Sequence, residues 1–121
     1  MTSPLPFSTR LAAAVRRTGT PLMVGLDPRF ESLPRVLQLQ QERVSFAEAA
    51  EAYRAFCLLV IDVVADLVPI VKPQAAFFEA LGPAGMDALS EVFRAEGYSG
   101  EHSAWGADAV TESPYLGEDR L

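Results

Sequence analysis

The 121-residue sequence holds a single cysteine, Cys57, and a single histidine, His102. A lone thiol cannot close an internal disulfide, so the chain reads as one made for a reducing compartment, the cytoplasm. Cys57 sits in an apolar helical pattern and reads as inert packing, not as a nucleophile. His102 lies in a polar, glycine-rich stretch with no cysteine or acid pair at ligand spacing, which argues for a surface residue and against a metal site. Basic charge is scarce as well: ten Lys and Arg stand against sixteen Asp and Glu, a net charge of -6, with no dense basic stripe. That excludes a generally basic nucleic-acid surface, while an anionic small substrate, which responds to a local field, stays allowed. The longest apolar run, Phe56 to Ala65, is interrupted by Asp62 and falls short of the roughly 20 residues of a membrane span. Two prolines near the N-terminus, with no charged region ahead of an apolar stretch, do not read as a signal peptide. No segment matches a Walker loop, a dinucleotide fingerprint or a serine elbow.

What is present is half hydrophobic and 21% charged, the composition of one globular domain. Ser8 is placed to cap a short helix through Arg17, with Gly19 ending it. Leu22 to Leu26 reads as a buried strand, and its lack of strict alternation predicts cover on both faces, as in a parallel sheet or barrel. Asp27-Pro28-Arg29 closes it, because proline has no donor with which to extend a ladder. Phe30 to Arg43 is a long loop with a short helix, of a length that suits a lid or rim. Ser45 with Glu48 forms a capping box that opens the clearest helix, to about Leu67. Its apolar stripe is Phe46, Ala49, Tyr53, Phe56, Val60, Ile61, Val64 and Leu67, with Glu48, Glu51 and Arg54 turned to solvent. Pro69 to Lys72 is the second strand, stopped by Pro73. A turn from Gln74 to Glu79 follows, and Gly82-Pro83 starts a helix whose apolar face is Met86, Leu89, Val92 and Phe93.

Helix, strand, loop, helix, strand, helix is the grammar of β/α repeats, in which the carboxyl ends of all strands lie on one side. After Glu96 the grammar fails. Gly97 to Trp105 is polar and glycine-rich, and only Ala107 to Thr111 gives a further short strand. Three strands cannot close a barrel of eight.

Substrates bind at strand ends in this architecture, and each of the first two strands ends in a charged residue, Asp27 and Lys72. A lysine withdrawn from water must find a carboxylate or lose its charge, so a structural salt bridge at the rim is the plain alternative to a binding role. Gln74, Phe78 and Glu79, close behind Lys72, and Thr111, ending the third short strand, are candidates for the pocket or its rim. Ordinary loop packing accounts for them equally well. Trp105, alone before a strand, reads as core or interface.

Taken together, Gly25-Leu26-Asp27-Pro28-Arg29, Lys72-Pro73-Gln74-Ala75-Ala76-Phe77-Phe78-Glu79 and Ala107 to Thr111 leading to Pro114-Tyr115-Leu116-Gly117 resemble the orotidine 5'-phosphate decarboxylase family, in its longer bacterial branch. The resemblance runs from about Phe7 to Leu121. It implies an incomplete (β/α)₈ TIM barrel, residues 1–121 forming one unfinished domain that corresponds to the N-terminal portion with strand three missing. It also implies a lyase of pyrimidine biosynthesis that converts orotidine 5'-monophosphate to UMP and carbon dioxide, as a cytoplasmic homodimer, with no metal and no organic cofactor. Asp27 matches the aspartate that contacts the substrate's ribose. Lys72 matches the lysine of the charged network beside the ribose and the reacting carboxylate, a catalytic and substrate-binding position. The family's Asp-x-Lys-x-x-Asp motif, whose lysine donates the proton, has no match. The expectation is an omission of sequence between about 96 and 107 and again after 121. Two other readings remain open: another phosphate-handling barrel lyase or isomerase, or an inactive barrel fragment that acts only by association with a partner.

Overall fold

The computed structural model describes residues 5–38 and 43–95. Helix α1, Phe7–Thr18, leads to strand β1, Met23–Leu26. Two single 3₁₀ turns follow, Phe30–Ser32 and Arg35–Leu37, and then the long helix α2, Phe46–Val64. Strand β2, Ile70–Pro73, is followed by the one-turn helix α3, Ala75–Glu79, and by α4, Gly82–Ala95. The two strands form a parallel ladder in which Met23 faces Ile70, Val24 faces Val71, Gly25 faces Lys72 and Leu26 faces Pro73. A parallel pair requires a long crossover, and α2, 19 residues or about 28 Å of helix, supplies it.

The helix ends follow local chemistry. At the start of α2 the Glu48 N–H donates to Ser45 Oγ at 3.1 Å, and the Ser45 N–H donates to Glu48 Oε2 at 2.8 Å, so two otherwise orphaned donors are satisfied reciprocally. The first helix differs from its sequence reading: it starts at Phe7, Pro6 occupies the cap position with no side-chain bond, and Ser8 is already inside the helix. Proline's fixed φ sets the entry there without a capping hydroxyl. Gly19 ends α1 in the left-handed region, φ 72°, and donates to Val15 C=O at 2.9 Å.

One core joins the helix-facing side of the ladder to α2, α3 and α4. Leu26, Cys57, Phe78, Leu89 and Val92 are fully buried, with Tyr53, Ile61 and Leu81 around them and Val24 and Val71 packed alongside. Alanines 49, 50, 52 and 88 line the same cluster, small side chains that let α2 and α4 approach. Tyr53 and Phe78 meet edge to face, centroids 5.9 Å apart at 83°, the arrangement that aromatic quadrupoles favour. Between α3 and α4 the approach is closer still: a Cβ on Gly85 would lie 1.9 Å from the Phe78 carbonyl oxygen. Arg54 spans the outside of the seam, 2.9 Å from Glu51 and 3.3 Å from Glu91 of α4.

One burial expectation is corrected. The apolar stripe of α2 is centred on Ala49, Tyr53, Cys57 and Ile61, while Phe46 at its start is 65% exposed, and Leu67, which the helix ending at Val64 does not reach, is 61% exposed. Leu59 and Val63, on the flank away from α4, are exposed too. Cover on both faces of the ladder is not decided by these elements: among the described residues β1 alternates from exposed Met23 to buried Leu26, while all four residues of β2 are half-buried. A run of apolar residues shows that both faces suit burial, but the neighbours that would cover the second face are not among these elements.

Candidate functional site

In a strand, side chains two residues apart share a face, and residues paired across a parallel ladder do so as well. Gly25 pairs with Lys72, so Gly25, Asp27, Ile70 and Lys72 belong to the face turned away from the helices. Gly25 has no side chain to fill the space there. Asp27 uses it: its Oδ1 lies 3.7 Å from where a Cβ on Gly25 would stand, so the carboxylate folds back over the glycine, on the face that Lys72 shares from β2. Pro28 is fully buried just beyond Asp27 and anchors the end of β1. On the other strand, the Gln74 N–H donates to Leu26 C=O at 3.0 Å and extends the ladder by one bond past Pro73.

Asp27 is exposed and Lys72 is half-buried. No ion pair joins them among the described residues. They stand on one face at the same end of the ladder, uncommitted to each other. Such a pair can grip hydroxyls and hold an anionic group in a fixed field. Lys72 is also the only lysine in the sequence, so no other side-chain amine of this chain is available to donate a proton as an ammonium.

The remaining candidates separate. Gln74 is half-buried at the same strand end, and Glu79 is exposed at the end of α3. Phe78 is corrected: it is fully buried and stacked against Tyr53, so its ring belongs to the core and not to a pocket rim. The reason is that residues 75–79 are helical, which turns Phe77 and Phe78 to different sides, where a loop would have left both free. Thr111, the strand expected at 107–111, His102 and Trp105 lie outside the described residues. Sequence reasoning passed over Arg29, whose guanidinium carbon lies 5.4 Å from the centroid of the Phe77 ring. No spacing rule links those two positions, and only the parallel register brings them together. Among the described residues no group of three His, Cys, Asp or Glu could hold a metal ion, and no helix is long and apolar enough to cross a membrane.

No protein-family model matches the chain. Among characterised proteins it is 44% identical to the orotidine 5'-phosphate decarboxylase of Rhodopirellula baltica, over 97% of this chain and 48% of that protein. It is 34% identical to the Roseiflexus sp. enzyme of the same name, over 97% of this chain and 47% of the relative. The chain therefore spans about half the length of these relatives. The two alignments run over 146 and 137 positions, more than the 121 residues of the chain, so each relative carries positions that face gaps here. Among solved structures, an orotidine-monophosphate decarboxylase from Toxoplasma gondii superposes with a TM-score of 0.59 at 32% identity, over 72% of this chain and 26% of its own. The UMP synthase of Leishmania donovani gives 0.53 at 34% identity, over 76% and 16%.

Proposed function

Since the chain belongs to the orotidine 5'-phosphate decarboxylase family, we propose that the enzyme built with it converts orotidine 5'-monophosphate to UMP and carbon dioxide. In this reading residues 5–95 form the first two strand-and-helix units of a (β/α)₈ barrel, and the face of the ladder turned away from the helices is the barrel interior. The observation that carries it is the placement of Asp27 and Lys72 on that face, at the carboxyl end of both strands, with no ion pair between them. Substrates of β/α barrels bind at that end.

Breaking the bond to the departing carboxylate leaves an electron pair on a ring carbon that has no electron sink attached. Fixed charges must favour that carbanion over the carboxylate, and a preorganised array does so without reorganising as the reaction proceeds. Asp27 accepts hydrogen bonds from the ribose hydroxyls. Lys72 donates to the sugar and holds positive charge near the reacting carbon. A second ammonium must deliver the proton, and this chain has no second lysine. In this reading the proton donor, with the rest of the family's Asp-x-Lys-x-x-Asp motif, belongs to sequence absent here, between about 96 and 107, and the later strands of the barrel to sequence after 121. Alignments longer than the chain, and coverage of about half of each relative, support that placement. The enzyme is a cytoplasmic homodimer that binds the nucleotide and no nucleic acid.

The test is the intact mass of the polypeptide purified from its source, together with an assay of carbon dioxide release from orotidine 5'-monophosphate. A mass near twice 13.1 kDa or more, with turnover, is the expected result. A polypeptide of 13.1 kDa that releases nothing overturns the proposal and leaves a fragment that acts by association.

A further inference from the structure

The segment that carries Asp27 is short, and its two sides are held differently. On one side, Leu26 C=O receives the Gln74 N–H at 3.0 Å, which ties the end of β1 to the start of the β2 loop. Pro28 is buried and gives the chain a fixed turn, and Asp27 and Arg29 on either side of it are both exposed. On the far side the tie is a side-chain one: the Arg29 guanidinium lies over the Phe77 ring at 5.4 Å. Among the described residues no carboxylate pairs with Arg29, so the ring face is its recorded partner. Residues 26 and 29 thus hold residues 74 and 77, with Asp27 between the first two and Gln74 two residues beyond Lys72.

We propose that Arg29 is a positioning residue: its stack on Phe77 fixes the two strand-end loops against each other and so sets where the Asp27 carboxylate stands relative to Lys72. Its role in substrate binding rests on the decarboxylase reading above, while its role in holding the loops does not. The physics is that of a cation on an aromatic face, an attraction within about 6 Å of the centroid that a guanidinium makes over its whole plane and an ammonium makes at a point. A loop held this way keeps Asp27 in place before the nucleotide arrives, so its loss should appear in binding more than in turnover.

The experiment compares Arg29→Ala, Phe77→Leu, the double variant and Arg29→Lys in the intact enzyme, by amide hydrogen exchange and by steady-state kinetics with orotidine 5'-monophosphate. Each single variant is expected to speed exchange of the Gln74 amide about two- to fivefold while the amides of Cys57 and Ile61 in α2 stay as they were. The double variant should be no worse than the more affected single one, because both remove one interaction. KM should rise about two- to fivefold, the size of an exposed cation–aromatic contact, with kcat changed less than twofold, and Arg29→Lys should recover only part of both effects. Additive single effects, or a Gln74 amide indifferent to Arg29→Ala, overturn the proposal. A raised KM with unchanged exchange also overturns it and makes Arg29 a direct contact of the nucleotide. If the wild-type enzyme has no activity on the substrate, the decarboxylase reading falls alone, and the exchange data still decide whether Arg29 holds the loops.

Discussion

The two faces of the β1–β2 ladder are made from alternate residues of the same eight positions, yet they live under different rules. The helix-facing side presents Val24, Leu26 and Val71 to a closed core in which Phe78 and Val92 have no solvent contact and Leu89 almost none. The other side presents Met23, about half exposed, beside Gly25, Ile70 and Lys72, with Asp27 folded over the glycine. Packing decides the first face, where a change in volume is felt at once. The second carries the charges of Asp27 and Lys72 beside a glycine, and in the proposed reading it faces the ligand. On that reading stability and chemistry are divided between the faces, and a substitution should disturb one without the other.

The largest effects belong to the packed side. Phe78→Ala should cost about 3–5 kcal/mol of unfolding free energy, the usual loss for a fully buried aromatic. Gly85→Ala should exceed about 2 kcal/mol, because its Cβ would meet backbone, not a side chain that can swing aside. Urea denaturation reads both, and a loss under about 1 kcal/mol at either position would mean that the α3–α4 contact yields easily. Lys72→Ala is expected to reverse the pattern. If the proposed decarboxylase reading holds, kcat/KM should fall at least about a hundredfold, the order for one positioned charge, with stability within about 0.5 kcal/mol of the wild type. A loss of activity under threefold would remove Lys72 from the reaction.

A smaller effect lies at the start of α2. Ser45→Ala should cost about 1 kcal/mol through the lost cap. It should also change the acid response. The Ser45 N–H, and secondly its hydroxyl, hold the Glu48 carboxyl below its ordinary value of 4.5. A carboxyl whose pKa is depressed on folding adds stability that is present above its unfolded value and is lost as pH falls through the folded one. Because Ser45→Ala keeps the backbone N–H, the sharper comparison is with Glu48→Gln, which cannot titrate: the wild type should lose part of its advantage over that variant as pH is taken below 4.5, and a difference that does not change with pH would contradict the capping box. The smallest effect is expected on the open face. Gly25→Ala should leave stability unchanged or raise it by up to about 1 kcal/mol, since a Cβ at 3.7 Å from Asp27 Oδ1 is an ordinary contact and alanine suits a strand better than glycine. Thermal melting checks it, and a clear loss of stability would mean that this face is as tightly filled as the other.

Local chemistry made several elements legible in advance. The Ser45–Glu48 box, Gly19 ending α1, and Gly82-Pro83 opening α4 are determined by neighbours in the chain, and each occurs where the sequence places it. The α2 stripe was legible in period but not in width: alanines 50 and 52 and Cys57 are buried, while Phe46 and Leu67 are not. Hydrophobicity alone cannot show where a partner helix stops. Asp27 and Lys72 could be picked out because a charge at the end of an apolar strand is a local anomaly. Phe78 could not be assigned, because the choice between pocket and core turns on one turn of helix.

The sequence by itself determined the order of the elements, their caps, the two charged strand ends and the kinship of the chain, since each depends on residues adjacent in the chain or on motifs read in order. Only the tertiary structure decided that Gly25 stands opposite Lys72, that Asp27 bends over that glycine, that Arg29 meets Phe77, and that one face of the ladder closes on the core. These facts depend on the register of two strands more than forty residues apart and on which neighbours pack against them. Such pairings are chosen by the burial of the whole core and not by any local preference.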